Sequence, residues 1–187
     1  MQIRGTAFLP CPFSWIANFA RVVVLCFLLM PLISAILQTH NDALRVGRAL
    51  ETLHPCDEIL IIDRDSTDRT VGIARDWGCR ICASMVSVAD AAASAQHDWL
   101  LLLDPTESIT EGLEATLFEW RIRPLEEVQT IPACSISVRR ETASGWSDGR
   151  PETRLIPKTW NRWVGVMPAS DPQALLLQGE LLRFLTP

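Results

Sequence analysis

From residue 31 the chain is organised in blocks of apolar and polar residues. Leu32-Ile33-Ser34-Ala35-Ile36-Leu37 is a short, nearly continuous apolar run, as expected of a strand buried on both faces. Asn41 and Asp42 then offer a helix N-cap. Val46, Ala49, Leu50 and Leu53 follow at i, i+3, i+4 and i+7, one face of a helix that Pro55 ends. Glu58 to Ile62 reads as a second strand. Thr67 or Asp68 is placed to cap a helix over Arg69–Trp77, with Gly78 as its C′ residue. Cys79–Ala83 reads as a third strand, Ala89–Gln96 as a helix and Trp99–Leu103 as a fourth strand. Ser108 and Glu111 have capping-box spacing ahead of a helix carrying Leu113, Leu117 and Trp120. Beyond Arg123-Pro124, short strands are expected near Ile131–Val138, Thr153–Ile156 and Trp163–Val166, with a turn at Ser144–Gly149. The tail Pro172–Phe184 reads as a helix with Ala174, Leu177, Leu181 and Leu185 on its apolar face.

Strands alternating with helices imply an α/β fold: a mainly parallel sheet with helices on both faces. Ligands of such sheets bind beyond the carboxyl ends of the strands. The polar clusters after strands one, two and four all fall on that edge.

Composition narrows the chemistry. The chain has 187 residues, roughly one domain. A net charge of −5 disfavours nucleic acid as a partner, which wants a basic stripe. Cys79-Arg80-Ile81-Cys82 is a C-x-x-C without the second pair that a zinc site needs. The six cysteines are therefore read as reduced and structural. Val22–Leu37 carries no charge, but it is a little short for a membrane span of about 20 residues, and Pro31 divides it. Residues 1–29 are read as an N-terminal extension, with Met30 as the true start and residues 30–187 as a single domain. A signal peptide, with Arg4 and Arg21 before the apolar run, and an anchor are the alternatives.

Asn41 and Asp42 follow strand one, Asp63, Asp65 and Asp68 follow strand two, and Asp104 and Glu107 follow strand four. Clustered carboxylates at strand ends suit Mg²⁺ or Mn²⁺, hard ions that take oxygen ligands. The same residue types also cap the helices that follow strands.

Three blocks carry a resemblance. Leu32–Asp42, Asp57–Thr70 and His97–Glu107 resemble, in order and spacing, the opening strand, the Asp-x-Gly-Ser-x-Asp-x-Thr turn and the metal-motif strand of the family 2 glycosyltransferases. Their fold is the Rossmann-like GT-A fold. Asp65 stands where glycine is usual, and Asp tolerates left-handed backbone better than most residues. The resemblance implies that Thr39 and Asn41 lie beside a nucleoside, that Asp63 contacts the base, usually uracil, and that Asp104 holds the metal and the ribose side of a nucleotide-sugar. It further implies inverting transfer to a saccharide or lipid-linked acceptor in cell-envelope glycan synthesis, in the cytoplasm or at the inner face of the membrane. The likeness is greatest to the lipopolysaccharide-core glucosyltransferase-like branch. The chain departs from that pattern in two places. Asp104-Pro105-Thr106 lacks the second metal-motif carboxylate, leaving Glu107 either to reach the ion or to cap the next helix. Gly165-Val166-Met167-Pro168 lacks the branch's His-Glu pair, so no catalytic base is identified. Arg139, Arg140, Arg154 and Arg162 are candidates for phosphate contact, and Trp160 and Trp163 for an acceptor site. The alternative is a catalytically degenerate domain that binds a nucleotide-sugar or a protein.

Overall fold

Three neighbouring strands with long apolar runs form the centre of the parallel part of the fold. The computed structural model describes residues 30–185, so the expectations for residues 1–29 lie outside the described residues. The elements are β1 (Ile33–Thr39), α1 (Val46–Glu51), β2 (Glu58–Asp63), α2 (Thr70–Asp76), β3 (Arg80–Cys82), α3 (Val88–Ser94), β4 (Trp99–Leu103), β5 (Glu107–Ile109), α4 (Glu111–Arg121) and α5 (Leu125–Val128). They continue with β6 (Cys134–Thr142), β7 (Gly145–Trp146), β8 (Arg150–Pro157), β9 (Trp163–Val164), β10 (Met167–Pro168) and β11 (Leu175–Arg183). The main sheet runs β3-β2-β1-β4-β8-β6-β11-β5, with β7 hydrogen-bonded to β6, while β9 and β10 form a separate hairpin. Among the described residues, four of its seven junctions are parallel: β3-β2, β2-β1, β1-β4 and β6-β11. The fold is α/β, as the block pattern implies.

Both faces of the parallel part are covered. Ile33, Ala35, Leu37, Ile61 and Leu101 face Val46, Ala49 and Leu50 of α1 and Leu113, Leu117 and Trp120 of α4. Ile36, Leu60, Ile62, Leu100 and Leu102 face Val88, Ala91 and Ala92 of α3. Burial on both faces is why these strands read as continuous apolar runs rather than alternating ones. Trp99 and Trp120 meet edge to face at 4.8 Å, so two of the seven tryptophans are core residues. No helix among the described residues is long and apolar enough to cross a membrane.

Turn chemistry follows the sequence closely at α2. Gly78 has φ +74, its N–H bonds the Arg75 carbonyl at 2.9 Å, and the Cys79 N–H bonds that of Ala74 at 3.0 Å. This is the Schellman pattern that a C′ glycine permits. Asp68 Oδ1 accepts from the Thr70 N–H at 2.9 Å at the start of the helix. The four free cysteines among the described residues are consistent with the structural reading. Burial pushes the Cys79 thiol up to about 11 and the Cys134 thiol up to about 12.

Three sequence expectations are corrected. Asn41 and Asp42 do not cap α1 with their side chains, because a turn over residues 43–45 intervenes and the helix begins at Val46. The cap of α4 is Thr110, whose Oγ1 accepts from the Leu113 N–H, while Ser108 lies in β5 opposite Leu182. The tail is a strand, not a helix. Leu177 and Leu181 are both buried, and a spacing of four suits an α-helical face and a β face alike. Gly179 decides between them. It has φ +87 and sits where the β11–β6 register shifts, between Leu176 and Glu180. A glycine there weakens a helix and marks a bulge in a strand. The bulge lies against the start of α4. Thr110 Oγ1 accepts from the Glu180 N–H at 3.1 Å and donates to the Glu180 carbonyl at 2.9 Å.

Glu58 fastens the amino ends of the strands. Its carboxylate accepts from Ser34 Oγ at 2.6 Å, Arg80 Nε at 2.9 Å and the Gln96 N–H at 2.8 Å. Burial alone would raise its pKa. The three hydrogen bonds and the Arg80 charge outweigh it and hold the group below the usual glutamate value.

Two predictions follow from this scaffold. A Cβ at residue 179 would lie 2.1 Å from the Leu113 nitrogen. Gly179→Ala should therefore cost about 2 kcal/mol or more in urea denaturation, with backbone strain adding to the clash. Because the Glu58 pKa is lowered on folding, its contribution is present above the unfolded value of about 4.3 and is lost as pH falls through the folded one. Stability measured between pH 6 and 3 should fall less steeply in Glu58→Gln than in the native chain; equal slopes would remove Glu58 from the account.

Candidate functional site

The strand order reverses at β1, which has β2 and β3 on one side and β4 on the other. Such a switch point leaves a crevice beyond the carboxyl ends. The register brings the predicted residues together there. Thr39 pairs with Asp63 across β1 and β2, and Leu37 pairs with Leu103 across β1 and β4, which places Asp104 beside the end of β1.

The loops after β1 and β2 are joined by their own polar side chains. Thr39 Oγ1 donates to Asp63 Oδ1 at 2.9 Å, and Ser66 Oγ donates to the same oxygen at 2.5 Å. Asp63 Oδ2 accepts from the Ser66 N–H at 2.9 Å. Asn41 Oδ1 accepts from the Thr67 N–H at 2.9 Å, and the Asn41 N–H donates to Ser66 Oγ at 2.8 Å. Asn41 and Asp65 both have positive φ, 53° and 55°, so Asp65 does occupy the left-handed position inferred for it. Thr39 and Asp63 are buried, while Asn41 is exposed. Arg64 grips Gln38 Oε1 through Nε at 3.0 Å and Nη2 at 2.8 Å and reaches the Ser84 carbonyl. Gln38 thus secures the end of β1. His40 Nδ1 lies against the Arg64 carbonyl.

Asp104 closes a tight turn. Its Oδ1 accepts from the Thr106 N–H at 2.9 Å and Thr106 Oγ1 at 2.6 Å, and no hydrogen bond or ion pair among the described residues uses its Oδ2. Glu107 departs from the expectation of a metal ligand. Its side chain is 0% exposed, and both carboxylate oxygens are occupied by cations. Oε1 takes Arg154 Nη2 at 2.9 Å and Arg183 Nη2 at 2.6 Å, and Oε2 takes Arg154 Nη1 at 3.1 Å and the Asp104 N–H at 2.8 Å. Reaching a metal ion would take from the fully buried Arg154 its two-point partner and leave it Glu152 as its one remaining carboxylate among the described residues, which is costly. Nor does Glu107 cap α4. It lies in β5, ahead of the cap at Thr110.

Arg154 is likewise fully buried, so it is not the phosphate contact its sequence position suggested. It also donates to the Leu102 carbonyl at 3.2 Å and to Glu152 Oε2 at 2.7 Å. Arg140 pairs with Glu152, Arg139 with Glu180, and Arg162 with Asp171 while stacking on Trp160. Glu152 would be raised by burial, but the charge of Arg154 and hydrogen bonds from Arg154 and Arg140 bring it below the ordinary value. Burial would lower Arg183, but Glu107, Glu152 and Asp104 raise it. Arg183 and Glu152 are not candidate site residues in the sequence reading, because the signal that would find Arg183, the need of a buried acid for basic partners, appears only once Glu107 is seen to be buried.

Small space remains at the strand ends. A cavity of about 70 Å³ is lined by Ile36, Gln38, Val88, Leu102, Leu103, Asp104, Val166 and Met167, so the β9–β10 turn lies over it. Trp160, Trp163 and Met167 pack on the α3 side of the core. A larger cavity, about 360 Å³, lies at the opposite, amino edge around Glu58, Trp77, Arg80 and Gln96. It is remote from the clustered carboxylates. No cluster of three or more His, Cys, Asp or Glu suited to a metal ion occurs among the described residues.

No family model matches the chain. Over 93 residues it is 31% identical to an uncharacterized glycosyltransferase of Rickettsia bellii, covering 46% of this chain and 32% of that protein. A second uncharacterized glycosyltransferase, from Rickettsia felis, is 31% identical over 91 residues with the same shares. The chain spans about a third of the length of the curated relatives it matches. Among solved structures, S. aureus TarS aligns with 69% of this chain and 29% of its own at 15% identity and a TM-score of 0.49.

Proposed function

We propose that the chain is the nucleotide-sugar-binding part of a family 2 glycosyltransferase with a GT-A fold. The observation that carries this reading is the convergence of Thr39, Asp63 and Asp104 at the carboxyl ends of three adjacent parallel strands. The likeness to the two Rickettsia glycosyltransferases supports it. In this reading the domain is residues 30–187, with 1–29 as an extension, and the protein works in the cytoplasm or at the inner face of a membrane.

The hydrogen-bond inventory limits what each residue can offer. Each carboxylate oxygen can accept about two hydrogen bonds. Asp63 Oδ1 is filled by Thr39 and Ser66, and Oδ2 keeps one position for an N–H of the base. Thr39 holds Asp63 in place, and Asn41 shapes the loop against which the nucleoside lies. Asp104 offers Oδ2 to a divalent ion, Mg²⁺ or Mn²⁺. Such ions are commonly held by one or two carboxylates together with substrate phosphates and water, so a single aspartate fits. When bound, the ion neutralises charge developing on the leaving diphosphate. Glu107 acts behind Asp104 by fixing its backbone N–H. In the transfer, the acceptor oxygen forms the new bond to the anomeric carbon with inversion, the bond to diphosphate breaks with its electron pair, and the acceptor proton passes to a carboxylate base. The donor is a UDP-sugar and the acceptor a saccharide or lipid-linked glycan of the cell envelope.

The occupied Glu107 carboxylate favours a second reading, a domain that binds the nucleotide-sugar without turning it over. Calorimetric titration of UDP with and without Mn²⁺ tests the donor site. Metal-dependent binding is expected, weakened about tenfold or more in both Asp63→Ala and Asp104→Ala. A folded chain that binds neither UDP nor GDP- or dTDP-sugars would overturn both readings. UDP binding without hydrolysis or transfer would favour the second.

A further inference from the structure

A cavity of about 530 Å³ lies between β6 and the β7–β8 segment, lined by Val138, Arg140, Ser147, Asp148, Arg150, Pro151 and Glu152. Its size falls within the range of small-molecule sites. Its walls are held from several sides. Ser147 Oγ accepts from the Arg140 N–H at 3.3 Å and donates to the Arg140 carbonyl at 3.2 Å, which fixes the rim. At Gly149 the backbone approaches β6 so closely that a Cβ would lie 2.2 Å from the Val138 carbonyl oxygen. Arg140 Nη2 bridges to Glu152 Oε1 at 2.9 Å across the two strands.

The charges within it are unevenly satisfied. Glu152 is met by Arg140 and, from behind, by the buried Arg154. The side chains of Arg150 and Asp148 have no hydrogen bond or ion pair among the described residues. The cavity therefore presents two solvent-exposed charges without a protein partner among the described residues, the Arg150 guanidinium and the Asp148 carboxylate, and an apolar surface from Pro151, Val138 being only 1% exposed. A ligand that answers all three has an anionic group for Arg150, hydroxyls for Asp148 and Ser147, and a C–H face for the apolar wall. Glu152 also links this cavity to the strand-end crevice, because Arg154 bridges it to Glu107, which holds the Asp104 N–H.

We infer that this cavity is a second binding site, for a hydroxylated molecule bearing one anionic group, of the sugar-phosphate class. Its further role as the acceptor subsite rests on the glycosyltransferase reading above. Binding itself does not.

The test titrates the full chain with glucose 6-phosphate, inorganic phosphate and glucose, each followed by calorimetry and amide chemical shifts. Glucose 6-phosphate should bind, and both fragments should bind about tenfold or more weakly than it does. Arg150→Gln should weaken glucose 6-phosphate about tenfold and leave UDP binding unchanged, whereas Arg75→Gln on α2 should alter neither. Binding of glucose 6-phosphate that is equal in Arg150→Gln and the native chain, or absent from a folded native chain, would overturn the inference. UDP binding without sugar-phosphate binding would sink this site alone. Arg150-dependent sugar-phosphate binding without UDP binding would keep the site and sink the donor reading.

Discussion

The far half of the sheet is organised around one buried charge. Glu107 enters the interior immediately after the Asp104 turn, and a carboxylate without water must find cations there. Arg154 from β8 and Arg183 from β11 supply them. Both guanidiniums are in turn tied to Glu152, so β5, β8 and β11 share one electrostatic knot beneath the candidate site. A buried ion pair need not add net stability, but removing one partner commonly costs about 3–5 kcal/mol. The knot therefore acts mainly as a registry device. It admits one alignment of three strands, and that alignment fixes the orientation of the Asp104 turn.

A second constraint acts on the other side of the crevice. The two loops there have no apolar core of their own, and they are ordered by Asp63, Asn41, Asp68 and the hydroxyls they hold. The side chains that most resemble a ligand site are thus the ones that build the loops. A carboxylate with two or three internal donors is rigid and already oriented. It can offer one further acceptor position without moving, the sort of preorganisation that recognition requires.

The parallel half was legible because its physics is local. Runs such as Ile59–Ile62 and Leu100–Leu103 are strands buried on both faces, and Gly78 and Asp65 sit where left-handed backbone is needed. The candidate site was legible in its position, since Thr39, Asp63 and Asp104 each end a strand. It was less so in its detail. Whether Glu107 faces an ion or an arginine depends on Arg154, 47 residues away, and on Arg183, 76 away, and no local pattern encodes that pairing. The tail failed for a related reason. Leu177 and Leu181 fit either periodicity, and Gly179 together with the neighbouring strands β6 and β5 selects the extended form.

The separation between β5 and β11 also bears on how the chain folds. The strand that pairs with Glu107–Ile109 is Leu175–Arg183, so the edge of the sheet closes only when remote parts of the chain meet. Loop-closure entropy must be met before such contacts bring any gain, which slows folding. Until Arg154 and Arg183 arrive, the Glu107 carboxylate is better left in water than buried. A nascent chain that has completed β1–β4 therefore holds its central parallel strands with an unfinished edge beside them. The charge that will later lock that edge meanwhile opposes its premature collapse, much as gatekeeper charges protect exposed strands from pairing with the wrong neighbour.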